Sequence, residues 1–477
     1  MRAKRWVIAS PDTERVRVLS RETGYTPLTA AVLSARGIDT PQAAADYLSC
    51  DVRGLHDPFG LTDMDKAVEV VREVIDRGEK MVVYGDYDVD GITGATLILQ
   101  TLRFHDVPST VHLPDRRKEG YGLNIPEIER LAAEEGPGIL LTVDCGISDV
   151  KAVERARELG FMVVVSDHHM PPEELPPAHA ITNPRLSEDN PCPHLAGVGV
   201  AFFLMAALNG KLEAMSGKRM DMRQVLDLVA LGTLADMVSL TGQNRILVKN
   251  GLLKIAEAKR PGLAELKGAS GFSPVAALGA GQVVFNLAPR INAAGRMGKA
   301  DLAAELFLTQ DMDRAIRLAV ELCEQNKLRQ TTENEILNQA LTQLRGEYDP
   351  VGDKMIVLAG KGWHQGVIGI VCSRLCDRYG CPVVLISVDE DGVGKGSGRS
   401  IGSFNLFDAL TSCSDLLDRY GGHALAAGLT IDESNIDALK ARLKAYAETH
   451  VTRQQLIPQL HIDCMVEKEW LTIENIE

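Results

Sequence analysis

The stretch Lys80-Met81-Val82-Val83-Tyr84-Gly85-Asp86-Tyr87-Asp88-Val89-Asp90-Gly91 decides both the fold and the chemistry. Its first half, KMVVYG, is a short β-rich run closed by glycine, which reads as a buried strand. Its second half sets carboxylates at 86, 88 and 90. On a continuing strand every second side chain shares a face, so these carboxylates repel one another unless cations or protons neutralise them. A metal ion is the natural solution. Gly91 and Gly94, in GITGAT, are expected to turn the backbone tightly into a helix whose N-terminus is a good neighbour for phosphate. Two other readings stay open at this point, a hydrated acidic loop that caps a helix and a calcium loop of the DxDxDG kind. A calcium loop continues with a Glu about six residues after its glycine, where this chain has TGATLIL.

Working outward, STVHL (109–113), GILLTV (138–143) and FMVVVS (161–166) are further strand-like runs bounded by Gly, Pro or Asp, with helical patterns between them. That alternation predicts an α/β domain built on a largely parallel sheet. Three of the four strands run directly into acidic or imidazole residues: Asp86, Asp144, and Asp167-His168-His169. Ligands of open α/β sheets sit outside the carboxyl ends of the strands, so these termini should converge on one crevice. A lone Asp at a strand end is usually a turn or cap residue, and it is the convergence that points to a metal site. Carboxylates mixed with imidazoles suit a pair of Mn²⁺ or Mg²⁺ ions, the imidazoles favouring Mn²⁺, with zinc a weaker fit. Asp236, in LGTLADMV, is a carboxylate among apolar neighbours, costly unless something positive lies beside it.

A chain of 477 residues is expected to form two or three domains. Helical periodicity runs over 198–258, and the stretch from about 311 to 346, free of Gly and Pro through Arg345, reads as one long helix joining two domains. A second α/β unit follows, with MIVLAG (355–360), a helix over 364–379 and PVVLIS (382–387). Nine cysteines without a CxxC pair argue against a disulfide framework, and Cys372 with Cys376 reads as a packed helix face. No uninterrupted apolar run reaches membrane-spanning length, the N-terminus lacks the apolar core of a secretory signal, and cytoplasm is expected. A net charge of -14 excludes nucleic-acid binding by bulk attraction, so any such site must be a basic groove in an acidic body. Candidates are Arg116, Arg117 and Lys118, Arg290 and Arg296 around Asn292, and Lys395, Ser397 and Arg399 in the glycine-rich GKGSGRS. Arg399 with Ser397 reads as a phosphate clamp, and Trp363, His364, Tyr121 and His423 as base contacts.

In this order, GDYDVDG, TVDCGIS, SDHH and GTLADMV resemble the motifs of the DHH phosphoesterases. The resemblance implies two metal ions held by Asp86, Asp88, Asp90, Asp144, His168 and Asp236, with Asp144 as bridge and His169 against the scissile phosphate. Asp86 and Tyr84 stand where relatives place a His in or just before the first motif. The catalytic set implied is Asp144, His168 and His169. Within the family the chain is most similar to the RecJ-like exonucleases, through DPFGLTDMDKAVEVV, PDRRKEGYGLN, NPR at 183–185, LAGVGVAFFLM, PRINAAGR and GSGRSIGSFNL. GWHQGVIGIVCSRL, GKGSGRS and GGHALAAG resemble the DHHA1-type second domain.

The layout expected from this likeness is an N-terminal segment (1–49), a DHH catalytic domain with a helical lobe (50–310), a connecting helix (311–348) and a DHHA1-type substrate-binding domain (349–450). The tail (451–477) would begin a missing or truncated oligonucleotide-binding domain. Cys145 stands where relatives usually carry Asn, which bears on metal or substrate tuning. The family implies hydrolysis of single-stranded DNA from 5′ to 3′ into 5′-mononucleotides, in repair and recombination, within a groove that admits one strand. It further implies a monomer that works with single-strand-binding protein and a helicase, away from membranes. Alternatives are a phosphodiesterase of short oligonucleotides or cyclic dinucleotides, and a catalytically inactive replication scaffold.

Overall fold

The computed structural model describes residues 4–116, 119–349, 352–466 and 468–476, so Arg117 and Lys118 lie outside the described residues. The chain begins with strand β1 (Arg5–Ile8) and helices α1 (Thr13–Thr23), α2 (Pro27–Ala35) and α3 (Pro41–Ser49). Helix α1 starts where the Asp12 side chain accepts the amides of Glu14 and Arg15, and it stops at Gly24 in the left-handed region. Val16, Leu19, Ala30, Leu33 and Ala44 form a small core of their own.

The first α/β part contains α4 (Met64–Asp76), β2 (Met81–Gly85), α5 (Val89–Phe104), β3 (Ser109–His112), α6 (Ile125–Glu135), β4 (Ile139–Val143), α7 (Val150–Glu158), β5 (Met162–Ser166) and β6 (Ala180–Thr182). Its strands lie in the order β3-β2-β4-β5-β6, every pair parallel. Both faces of this sheet are buried. Met81 and Val83 join the larger core on one side, and Val82 and Tyr84 join a second core on the other. This double burial is why β2 and β4 read as unbroken apolar runs. Each such Val or Leu contributes about 1.5–3 kcal/mol when fully buried. The chain leaves β2 toward β3 on one side and continues through β4 on the other, so the β2/β4 boundary is the switch point where α/β sheets open a ligand crevice.

A helical lobe follows: α8 (Gly197–Ser216), α9 (Leu226–Ala235), α10 (Gly242–Glu257), α11 (Pro261–Ala269), the single turn α12 (Ala280–Gln282), α13 (Ala288–Arg296) and α14 (Ala300–Leu308). Helix α8 is long and apolar enough to cross a membrane by length and composition, yet its apolar stretch is 67% buried inside the protein. The start of α9 is locked by Asp227, whose carboxylate takes Arg260 at 2.7 and 3.1 Å in a buried pair.

Helix α15 (Met312–Glu347) is the long connector expected from the sequence. Its Leu318 and Leu322 pack in the first core, while Ile336, Ala340 and Leu344 pack in the core of the second α/β part. That second part comprises β7 (Ile356–Lys361), α16 (Gln365–Tyr379), β8 (Val383–Val388), β9 (Val393–Arg399), α17 (Leu406–Thr411), β10 (Arg419–Gly422), β11 (Ala426–Asp432), α18 (Ile436–His450) and β12 (Gln459–Ile462). Its sheet is mixed, in the order β10-β11-β9-β8-β7, with only β7 and β8 parallel. The fold is thus two α/β parts joined by a long helix. The chain divides into two compact units, Ser49–Leu328 and Met1–Leu48 with Arg329–Glu477. Within the second of these, β1 pairs in parallel with β12, Arg5 opposite Gln459.

One local expectation is corrected. The strand does not continue through the acidic triplet; β2 ends at Gly85 and α5 already begins at Val89, with Asp88 as its cap. Gly91 therefore sits in the first turn of the helix and does not make the turn into it. Its need is close approach, because a β-carbon there would stand 2.5 Å from the backbone N and O of Asp86.

Candidate metal centre

The sheet delivers its ligands in step because its ladder runs one residue past each strand. The Asp86 amide donates to the Val143 carbonyl at 3.2 Å, that of Asp144 to Ser166 at 3.0 Å, and that of Asp167 to Thr182 at 3.1 Å. Asp88 Oδ1 accepts the amides of Asp90 at 2.9 Å and Gly91 at 3.2 Å, which starts α5. Asp236 closes the C-terminus of α9. Asp144 has φ 62, in the left-handed region; Asp tolerates this better than most residues, and such conformations cluster at functional sites. Gly197 at the start of α8 makes the room, since a β-carbon there would stand 2.7 Å from Asp144 Cβ.

These side chains meet. His168 Nε2 lies 3.0 Å from Asp144 Oδ1, 3.6 Å from Asp236 Oδ2 and 3.9 Å from Asp90 Oδ2. Three overlapping sets have ligand atoms within 4.8 Å of one another: Asp86, Asp88 and Asp144; Asp144, His168 and His169; Asp90, His168 and Asp236. Asp144 and His168 each belong to two sets. Burial, then the neighbouring carboxylates, push Asp86, Asp90 and Asp144 well above the usual carboxylate range. Burial and Asp88 push Asp236 up to about 7, while burial and the His169 charge lower His168 to about 4.

Among the described residues, Asp86 Oδ1, Asp144 Oδ1, His168 Nε2 and Asp236 Oδ2 are buried without a hydrogen-bond partner. Buried polar atoms are normally satisfied, and each orphan costs about 1–3 kcal/mol. Acceptors that lack donors and repel one another are what divalent cations relieve. An oxygen-rich set with an imidazole fits Mn²⁺ or Mg²⁺.

Two carboxylates have further duties that local sequence did not show. Asp90 accepts the amides of Gly197 at 2.6 Å and Val198 at 2.8 Å, so it also anchors the N-terminus of α8. Asp167 is turned away from the ligand sets. Its Oδ1 accepts the amides of His168 and His169 and lies 2.8 Å from His169 Nδ1, and its Oδ2 accepts the Ile147 amide at 3.0 Å. Burial alone would lower the His169 imidazole, but the Asp167 bond and charge raise it to about 9. Asn183 Nδ2 and Arg185 Nε hold the carbonyls of His169 and His168 at 2.9 and 2.8 Å, which gives the NPR segment its place.

Residues 80–233 match the N-terminal domain of the DHH family and residues 352–449 match the DHHA1 domain. A single-stranded-DNA-specific exonuclease RecJ of Dickeya dadantii is 40% identical over 413 residues, covering 83% of this chain and 71% of that relative. The chain belongs to the RecJ family. The RecJ of Bacillus subtilis is 38% identical over 99% of this chain, which spans 59% of that relative's length. The crystal structure of RecJ from Thermus thermophilus in complex with Mn²⁺ superposes with a TM-score of 0.82 at 34% identity, covering 98% of this chain and 66% of that one.

The basic residues of this RecJ-family chain divide by location. The Arg116 guanidinium lies 5.1 Å from the centre of the Tyr87 ring, close enough to Asp86 to oppose the rise of its pKa. Asn292 Oδ1 accepts the Val89 amide at 3.2 Å, which fixes α13 against the first motif, and Arg296 acts with Arg116 on the Tyr87 hydroxyl. Arg290 is not brought to the cluster. It donates to the Asn286 carbonyl and, at 3.2 Å, to Cys323 Sγ of α15, so it packs helices together. His364, Ser397, Arg399 and His423 lie in the second α/β part. Arg399 donates to Ser397 Oγ at 3.3 Å and to the Gly398 carbonyl at 2.7 Å, His364 Nδ1 caps α16, and His423 is exposed. Cys145 is fully buried with its thiol 3.7 Å from the Tyr84 carbonyl, a packing position that offers no ligand.

Proposed function

We propose that this chain is a metal-dependent exonuclease that removes 5′-mononucleotides from single-stranded DNA, working 5′ to 3′ in repair and recombination. The observation that carries the reading is the buried set of orphaned carboxylate and imidazole atoms at the switch point of the parallel sheet. Likeness to relatives named as single-stranded-DNA-specific exonucleases supports the substrate; polarity and product rest on the family resemblance.

Asp86, Asp88 and Asp144 would hold one divalent ion and Asp90, His168 and Asp236 another, Mn²⁺ by preference and Mg²⁺ as second choice. When bound, the pair supplies Lewis acidity toward the phosphoryl oxygen and lowers the pKa of the attacking water. The chain's own residues do the rest. His169, oriented by Asp167, faces the phosphate and stabilises charge on it, with Arg116 adding a second cation. Arg399 with Ser397 clamps a backbone phosphate, a contact that the planar guanidinium suits. A cytoplasmic monomer that works with single-strand-binding protein and a helicase is part of the same proposal and rests on the family resemblance alone.

Digestion of 5′-end-labelled single-stranded DNA, beside duplex and dinucleotide, tests the reading. Release of mononucleotides from the single strand, dependent on Mn²⁺ and stopped by chelator, is expected. Preference for the dinucleotide, or cleavage indifferent to chelator, would overturn it.

A further inference from the structure

One more group of ligand-type side chains stands at the carboxyl edge of the same sheet, outside the carboxylate cluster. His112, the last residue of β3, has Glu119 Oε2 3.1 Å from its Nε2 and Glu127 Oε1 3.2 Å from its Nδ1. The three side chains are 14–18% exposed, so solvent screens the contacts far less than on an open surface. Glu127 belongs to the first turn of α6, and Glu119 to the connection from β3 to α6. Glu119 in turn organises that connection. Its Oε1 accepts the Asp115 amide at 2.7 Å, its own amide donates to the Asp115 carbonyl at 2.8 Å, and its carbonyl accepts Asn124 Nδ2 at 3.2 Å. The Tyr84 ring packs on the His112 ring with centroids 4.9 Å apart.

The same connection carries two groups to the catalytic cluster. Arg116 reaches over Tyr87 beside Asp86, and Tyr121 Oη lies 3.1 Å from His169 Nδ1 and 3.4 Å from the Asp144 carbonyl. A connection that must present a cation and a phenol within tenths of an ångström needs its foot fixed, because small misplacements near reacting atoms are costly in rate. His112 joins a strand end, a loop and a helix start at that foot.

We propose that His112 is a positioning residue, a latch that pairs with Glu119 and Glu127 to hold the β3–α6 connection so that Arg116 and Tyr121 meet an incoming phosphate. The phosphate role rests on the exonuclease reading above; the latch itself does not. It explains a His–Glu–Glu group that belongs to no catalytic ligand set and yet sits at the foot of the segment that carries the Arg116–Tyr121 pair.

Trypsin reads the latch without any catalysis, since the connection offers the bonds after Arg116, Arg117 and Lys118. In metal-free protein, His112→Ala is expected to raise the rate of that cut at least tenfold, with Glu127→Gln, which keeps the packing, in between. On single-stranded DNA with Mn²⁺, His112→Ala should lower kcat/KM five- to tenfold. Added to Arg116→Ala it should lower kcat/KM by less than the product of the two separate effects. An unchanged tryptic rate in both variants, a wild-type kcat/KM for His112→Ala, or effects of His112→Ala and Arg116→Ala that multiply in full would each overturn the latch. A wild-type chain that fails to degrade DNA would overturn the function reading instead, and the tryptic rates would still decide the latch.

Discussion

Asp167 Oδ1 lies 2.8 Å from His169 Nδ1, and the same carboxylate gathers the amides of Ile147, His168 and His169. Four N–H donors thus converge on two oxygens, which fixes the backbone and the ring of the triplet together. Asp167→Asn keeps the shape but replaces one oxygen with a donor that must face an N–H. It is expected to cost about 1–3 kcal/mol of stability and to lower kcat at least a hundredfold. Thermal unfolding beside single-turnover hydrolysis measures both. Wild-type kcat in a stable variant would contradict the orienting role.

Gly197 makes the left-handed conformation of Asp144 possible, because an added β-carbon would meet Asp144 Cβ, Cγ and Oδ1 at 2.7–2.9 Å. Gly197→Ala should displace Asp144 and leave most of α8 intact. The expected outcome is a Mn²⁺ requirement shifted at least tenfold upward in activity titrations, with far-UV circular dichroism unchanged.

The strand ends were legible because β-branched runs closed by Gly or Asp declare both a buried strand and the residue that leaves it, as at Gly85-Asp86 and Val143-Asp144. The long connecting helix was legible from a stretch free of Gly and Pro. What stayed hidden depends on partners far away in the chain. Nothing near Asp90 announces that it will cap a helix 107 residues later, and nothing in the four residues of β1 names β12 as its neighbour. Arg290 and Arg116 look alike in sequence, yet one packs helices and the other faces the acidic motif. Gly91 was recognised as special, but for a turn; its real constraint is a backbone pressed against it.

The metal-free protein should carry a pH signature. Asp236, raised to about 7 by burial and Asp88, and His169, raised to about 9 against its burial by Asp167, both bind a proton more tightly folded than unfolded. Their stabilisation is present at low pH and is lost as pH rises through those values. His168, lowered to about 4 by burial and the His169 charge, works oppositely and loses its contribution as pH falls below about 6.5. Stability in chelator should therefore rise as pH falls from about 9 to about 6.5, with saturating Mn²⁺ flattening the trend. Urea midpoints across that range check it, and equal slopes with and without Mn²⁺ would contradict it.

Arg399→Ala should weaken single-strand binding about tenfold at low salt and reduce the salt slope by about 0.7, the share of one phosphate contact. Mn²⁺ binding should stay at the wild-type level. Fluorescence anisotropy over a salt series separates this from a general loss of fold.

The most direct test counts ions. Free Mn²⁺ measured by electron paramagnetic resonance, titrated into metal-free protein, should show two bound ions per chain, with Asp144→Ala and His168→Ala each losing binding while remaining folded. A wild-type chain that binds none, or an Asp144→Ala chain that binds as the wild type does, would contradict the metal centre.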